Sequence, residues 1–149
     1  MDKIRLIKTF TFEMAHALEG YDGECKNLHG HSFRLDVTLR GTPLYQPGHP
    51  KDGMVMDFKD LKKLVQTRVL GVFDHALVLN ESTPATVVEA LKDNYEKVVL
   101  LPFQPTSENM LLLMADKIRA DLPGNVELYR LVLHETATSS AEWCAEDNP

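Results

Sequence analysis

The sequence is poor in cysteine, in long apolar runs and in positive charge, and each scarcity closes off a class of protein. Two cysteines among 149 residues, Cys25 and Cys144, are too few for the disulfide framework of a small secreted domain. The longest apolar run is MLLLMA at 110–115, far short of the roughly 20 residues that cross a bilayer. The 16 Lys and Arg are outnumbered by 22 Asp and Glu, leaving a net charge of -6. That balance lacks the basic footprint of a nucleic-acid binder, although a few local cations would still suffice for a small anionic substrate. The first fifteen residues carry Lys3, Arg5, Lys8 and Glu13, so no signal-peptide core is read there and a cytoplasmic location is expected.

What is present is enough for one core. Apolar residues make up 44% of the chain, no repeat or linker divides it, and residues 1–149 read as a single domain. Phe10, Phe12, Met14 and His16 share one parity, as do His29, His31, Phe33, Leu35, Val37 and Leu39, so two strands each present one apolar face. A third strand is expected at GMVMDF (53–58), after a Pro- and Gly-rich loop at 42–53. Asp57 is placed to cap a helix reaching about Leu70, with Leu61, Leu64 and Val65 inward. Thr83 as N-cap and Pro84 as first residue announce a short helix. Strands are expected at 96–103, 126–135 and around AEWC (141–144), and the clearest helix at 105–124. Thr106 or Ser107 caps that helix, and Met110, Leu113, Met114 and Ile118 form its buried stripe. This order favours an α+β fold, an antiparallel sheet with helices on one face.

The chemistry concentrates in CKNLHGHS (25–32). His29 and His31, two apart, point the same way from a strand, and His16 ends another apolar face. If those strands pair, three imidazoles converge in the open arrangement of a catalytic zinc site. Gly30 would let a group approach between the two ligands. The competing reading is three hydrogen-bonded core histidines. Cys25 fits three roles: a fourth ligand closing a structural site, an acid/base or nucleophile, or an inert small apolar residue. Asp74-His75 pairs a carboxylate with an imidazole, which makes either a proton carrier or a satisfied turn. Glu135 shares parity with Tyr129, Leu131 and Leu133, so it ends an apolar face. It needs an internal partner or a ligand offering two parallel N–H donors, unless it is an exposed strand-end residue. His49 and His134 receive no role, Cys144 reads as structural, and Lys26 and Arg34 read as solvated surface.

Six pieces in order resemble the pterin synthase family that includes 6-pyruvoyl-tetrahydropterin synthase and bacterial 6-carboxytetrahydropterin synthase. They are FEMAH (12–16), C-x-x-x-H-G-H (25–31), GMVMDF (53–58), FDH (73–75), PTSEN (105–109) and HET (134–136). The short gap between Cys25 and H-G-H is similar to the queuosine-pathway branch. The resemblance implies the T-fold, a four-stranded antiparallel sheet with two main helices on one face. It also implies a homohexamer, a dimer of trimers, with active sites at subunit interfaces. Carried over by motif, His16, His29 and His31 are zinc ligands and Cys25 is the catalytic thiol. Asp74 and His75 form a proton relay supplied by a neighbouring chain, and Glu135 and Thr106 bind the pterin. The implied substrate is 7,8-dihydroneopterin triphosphate, converted to 6-carboxytetrahydropterin, acetaldehyde and triphosphate. The alternatives are the pyruvoyl-forming reaction and a non-catalytic, zinc-stabilised pterin- or purine-binding module.

Overall fold

The computed structural model describes residues 1–149. In chain order the elements are β1 (Ile4–Ala17), β2 (His29–Gly41), α1 (Phe58–Val65), β3 (Ala76–Asn80), α2 (Ala85–Asn94), β4 (Val98–Leu101), α3 (Ser107–Asp121), β5 (Val126–His134) and β6 (Ser140–Cys144). All strands belong to one sheet ordered β4-β3-β1-β2-β5-β6. The α+β class holds, but the sheet has six strands, not four. The four antiparallel strands β1, β2, β5 and β6 are contiguous. Two more, β3 and β4, extend the β1 side in parallel. A parallel pair needs a crossover of a dozen residues or so. Residues 81–97, which include α2, supply it.

Alternation builds the core as the parity requires. Phe10, Phe12 and Met14 of β1 and Phe33, Leu35, Val37 and Leu39 of β2 are buried on one face, with Leu131 and Leu133 of β5 beside them. Against them pack Leu61 and Val65 of α1, and Met110, Met114 and Ile118 of α3. Asp57 caps α1, its carboxylate accepting from Lys59 N at 2.8 Å, which supplies one of the orphan first-turn donors with a partner. The helical path continues past α1 through a wide turn at Gln66–Leu70 to Gly71–Phe73, which buries Val69 and Phe73 in the same core. No helix is long and apolar enough to cross a membrane.

Three local expectations are corrected. Residues 53–58 form no strand. Gly53 takes φ +80, a left-handed turn conformation suited to glycine, and the segment makes a turn instead: Leu44 bonds Met54 O at 2.9 Å and Gly53 N at 2.7 Å, and Met54 N donates to Lys51 O at 3.1 Å. Thr83 does not cap α2. Asn80 already makes that turn, accepting from Ser82 N through its side chain (3.0 Å) and from Thr83 N through its carbonyl (3.0 Å), so Pro84 becomes the N-cap residue. Tyr129 does not share a face with Leu131 and Leu133. The β2–β5 register shifts between Thr38 and Leu39, with Arg130 opposite Thr38 and Leu128 opposite Leu39. This bulge sends Tyr129 to the helix-free face. There its hydroxyl accepts from Arg5 at 2.7 Å, and the Arg5 and Arg40 guanidinium carbons lie 4.1 and 4.5 Å from its ring centre. The ring separates two like charges that the β1–β2 register sets opposite each other.

Leu35 is fully buried on a central strand. Leu35→Ala is expected to lower unfolding free energy by about 2–5 kcal/mol, read as a fall in urea midpoint at constant slope. A loss under about 1 kcal/mol would contradict this core.

Candidate active site

The β1–β2 register sets His16 directly opposite His29 and Met14 opposite His31. Since the parity of all three histidines is that of the core, their rings gather at one end of the apolar face, beside the start of α3. The ring centres lie 4.6 to 5.2 Å apart, and one ligand nitrogen from each lies within 4.8 Å of the others. His16 Nδ1 donates to the Pro105 carbonyl and His29 Nδ1 to the Asn27 carbonyl, each at 2.7 Å. Those partners assign the proton to Nδ1 in both neutral rings, leaving lone pairs on Nε2. The two Nε2 atoms are 3.1 Å apart. Two facing lone pairs at that distance repel unless a cation lies between them. His31 Nε2 is buried without a hydrogen-bond partner. Glu135 Oε1 stands 3.2 Å from it, but outside hydrogen-bonding geometry. The donor set therefore fits a divalent metal ion held by three neutral imidazoles. Zinc–nitrogen bonds of about 2.0–2.1 Å would put tetrahedral ligand nitrogens roughly 3.3 Å apart.

Burial pushes the His16 pKa below its ordinary 6.5, the neighbouring imidazoles add to this, and the Pro105 carbonyl and Glu135 partly offset it. The neutral ring, which is the ligating form, is favoured by folding itself.

Cys25 lies outside the histidine cluster. It sits half-buried on the helical turn Glu24–Lys26 as a free thiol, in a loop whose neck is closed by Leu18 N donating to Cys25 O at 3.0 Å. Glu135 follows β5, with its backbone N–H on Ser139 O. Its Oε2 accepts from Ser107 Oγ at 2.5 Å. Thr106 Oγ1 instead accepts from Asn109 N at 3.2 Å, capping α3. The hydroxyl in contact with the carboxylate is thus that of Ser107. Sequence reasoning treated this residue only as an alternative cap.

Asp74 and His75 sit beside β1 at Glu13. His75 N donates to Glu13 O (2.6 Å), Glu13 N donates to Asp74 Oδ1 (3.0 Å), and Lys97 Nζ donates to the Asp74 carbonyl (2.6 Å). His75 Nδ1 is 3.0 Å from Asp74 Oδ1, and the ring is 78% exposed. His75 has φ 60, the one non-glycine residue with positive φ. Its ring borders a cavity of about 360 Å³ whose wall includes Glu13, Gly30 and Ser32, of the parity opposite to the three histidines, together with Met14 and His31. Neither Asp74 nor His75 makes a polar contact with the three imidazoles or with Cys25. Gly30 faces that cavity rather than the space between His29 and His31. A Cβ there would meet the Met14 carbonyl at 3.3 Å. His134 bonds Asp36 (2.9 Å) on the helix-free face, and His49 Nδ1 accepts from Lys51 N (3.0 Å) within its loop. Both remain outside the site.

The family model described as 6-pyruvoyl tetrahydropterin synthase matches residues 5–146. The chain is 37% identical over 144 residues to the 6-carboxy-5,6,7,8-tetrahydropterin synthase of Haemophilus influenzae, covering 93% of this chain and 97% of that one. It is 35% identical over 133 residues to the dihydroneopterin monophosphate aldolase of Pyrococcus furiosus, covering 89% and 90%. Among solved structures, the Caenorhabditis elegans 6-pyruvoyl tetrahydropterin synthase superposes with a TM-score of 0.68 at 26% identity, covering 97% of this chain and 96% of that one.

Because the folded state depresses the His16 pKa, the stability this burial favours is present above about pH 6.5 and is lost as pH falls through the lower folded value. Zinc uptake by chelator-stripped protein is therefore expected to approach one ion per chain at about pH 7.5. It should weaken more than about tenfold at about pH 5.5. Affinity independent of pH over that span, read by competitive titration, would contradict ligation by neutral imidazoles.

Proposed function

The chain belongs to the 6-pyruvoyl tetrahydropterin synthase family, and from that membership we propose that it is a zinc-dependent 6-carboxy-5,6,7,8-tetrahydropterin synthase. It would convert 7,8-dihydroneopterin triphosphate and water to 6-carboxytetrahydropterin, acetaldehyde and triphosphate, a step toward queuosine precursors in the cytoplasm. The observation that carries the reading is the separation of roles. Three imidazoles suffice as ligands, which leaves the Cys25 thiol and the Glu135 carboxylate free for substrate. The 37% identity with the Haemophilus influenzae enzyme favours the carboxy-forming reaction over the pyruvoyl-forming one.

His16, His29 and His31 would hold the metal. Bound there, zinc supplies Lewis acidity that polarises the substrate's side-chain hydroxyls and acidifies the neighbouring C–H bonds. Glu135 is suited to accept two N–H bonds from the amino-pyrimidine edge of the pterin, a bidentate geometry with charge assistance. Ser107 holds one of its oxygens and so limits its rotation. Thr106 N donates to the Gln104 carbonyl and its own carbonyl accepts from Met110 N, while its N-cap oxygen only accepts, so the hydroxyl proton is the group left for pterin contact. Cys25, as thiolate, would take a proton from the side chain. His75 would carry a second proton at Nε2, with Asp74 holding the Nδ1–H tautomer, as a carboxylate does for a general-base histidine. Protons moved from side chain to ring saturate the ring, triphosphate leaves, and carbon–carbon cleavage releases acetaldehyde.

His75 is 78% exposed and makes no hydrogen bond to its own chain's imidazoles or to Cys25. That placement supports service to the site of a second copy, and hence a homo-oligomer of the hexameric, dimer-of-trimers kind with sites between subunits.

Incubation of zinc-loaded protein with dihydroneopterin triphosphate should yield acetaldehyde and a carboxylated pterin. Triphosphate release without aldehyde would show the pyruvoyl-forming reaction instead, and turnover of the monophosphate would align the chain with its Pyrococcus furiosus relative. Cys25→Ala is expected to keep its zinc and lose at least about a hundredfold in kcat. Loss of metal on this substitution would make Cys25 a ligand. Glu135→Gln should raise the pterin dissociation constant by roughly ten- to a hundredfold at unchanged zinc content. Unchanged affinity would remove the anchor.

A further inference from the structure

We propose that Gln104 is a positioning residue that latches the thiol-bearing loop onto the site. The loop leaves β1 at Leu18 and re-enters the sheet at His29, and within Glu19–Leu28 only Gly23 and Cys25 are half-buried, the rest being exposed. Its internal bonds are short-range: Tyr21 N to Leu18 O, Leu18 N to Cys25 O, and Lys26 and Asn27 N to Gly23 and Glu24 O. Asn27 O reaches only the adjacent His29. The sole hydrogen bonds from this loop to a distant element go to Gln104. Its Oε1 accepts from Glu19 N at 3.1 Å and its Nε2 donates to Glu19 O. The orientation of the amide is fixed by its partners, because the backbone offers one donor and one acceptor. A side-chain amide here takes the place of a strand neighbour, satisfying both polar groups of one backbone residue.

Gln104 is itself held in place. Its carbonyl accepts from Thr106 N (2.8 Å) and Asn109 Nδ2 (3.0 Å), which ties it to the capped start of α3. The next residues of the same segment orient His16 through Pro105 O and bind Glu135 through Ser107 Oγ. The latch therefore places the thiol loop on the same short stretch that sets a metal ligand and the carboxylate. This inference rests on the proposed catalytic role of Cys25. Misplacing a catalytic group by about 1 Å can cost roughly a hundredfold in rate.

The test compares wild type, Gln104→Ala and Gln104→Glu, all zinc-loaded. It measures the rate of iodoacetamide labelling at Cys25 relative to Cys144 by peptide mass spectrometry, together with kcat and KM for dihydroneopterin triphosphate. Gln104→Ala is expected to keep its zinc and a KM within about twofold. Its Cys25 labelling ratio should rise about fivefold or more, and its kcat fall about ten- to a hundredfold. Gln104→Glu keeps the acceptor for Glu19 N but sets a carboxylate oxygen against Glu19 O, where two acceptors repel, so its labelling ratio should rise and its kcat fall at least as far as in Gln104→Ala. An unchanged labelling ratio in Gln104→Ala overturns the proposal, as does a raised ratio with unchanged kcat. Should Gln104→Ala lose metal or fold, the Gln104→Glu labelling ratio decides in the same way. Failure of the underlying reading is separate: Cys25→Ala with wild-type turnover ends the catalytic role, whereas the labelling ratio reports the latch without any turnover.

Discussion

Two imidazole nitrogens 3.1 Å apart, each ring spending its other nitrogen on a carbonyl, form an arrangement that needs positive charge between them. A shared proton would supply it, but burial disfavours the charged form of His16. A metal ion supplies it without that conflict, and His31 Nε2, buried with no partner, offers a third ligand nitrogen. The arrangement is written into the fold by register. In an antiparallel ladder directly opposed residues bring their Cβ atoms within about 4.5–5.5 Å, and His16 faces His29 as the last of thirteen paired positions. A slip of one residue would turn the His29 and His31 rings to the opposite face. The Phe12–Phe33 stack, with ring centres 5.2 Å apart, and the fully buried Leu35, Val37 and Leu39 hold the register that gathers the three histidines. Core packing and the convergence of the three imidazoles are here one constraint.

The second organising feature is the turn into α3. Pro105 turns a carbonyl toward His16, Thr106 caps the helix, and Ser107 binds Glu135. A capped helix start is a rigid platform, because its first-turn donors have partners and its dihedrals are fixed. Carbonyl partners of ligating histidines set ring orientation as effectively as carboxylates do. Three parts of the site thus share one local origin, and their spacing does not depend on loop conformation.

Parity made much of this legible. His16, His29, His31 and Glu135 fall at the ends of apolar faces, and the cap residues Asp57 and Thr106 are visible as such in the sequence. What parity cannot carry is anything that interrupts its period. The bulge beside Thr38 moves Tyr129 to the other face, and no turn residue announces it. The parallel strands β3 and β4 are fixed by a crossover, which a strand-sized apolar run does not reveal. Backbone partners leave no trace either: the Pro105 carbonyl, the Glu13 amide and the latch of Gln104 on Glu19 are contacts whose sequence positions look ordinary. The same is true of Gly30, whose freedom serves the Met14 carbonyl on the neighbouring strand rather than a ligand between the histidines.

His75 carries the one strained non-glycine backbone conformation of the chain. A non-glycine residue in the left-handed region costs of order 1 kcal/mol or more and persists only where its surroundings over-determine it. Here its own amide, the Asp74 carboxylate and the Lys97 hold on the Asp74 carbonyl all act together. Packing does not explain the strain, because the ring is largely exposed. Nor does the histidine cluster of the same chain, since the ring makes no hydrogen bond to any of the three imidazoles. On the proposed reading, an imidazole held by a carboxylate and presented to solvent at a conformational cost gains a use when another copy brings its thiol and its three histidines to it. Assembly on that reading completes the active site and is not an accessory to it.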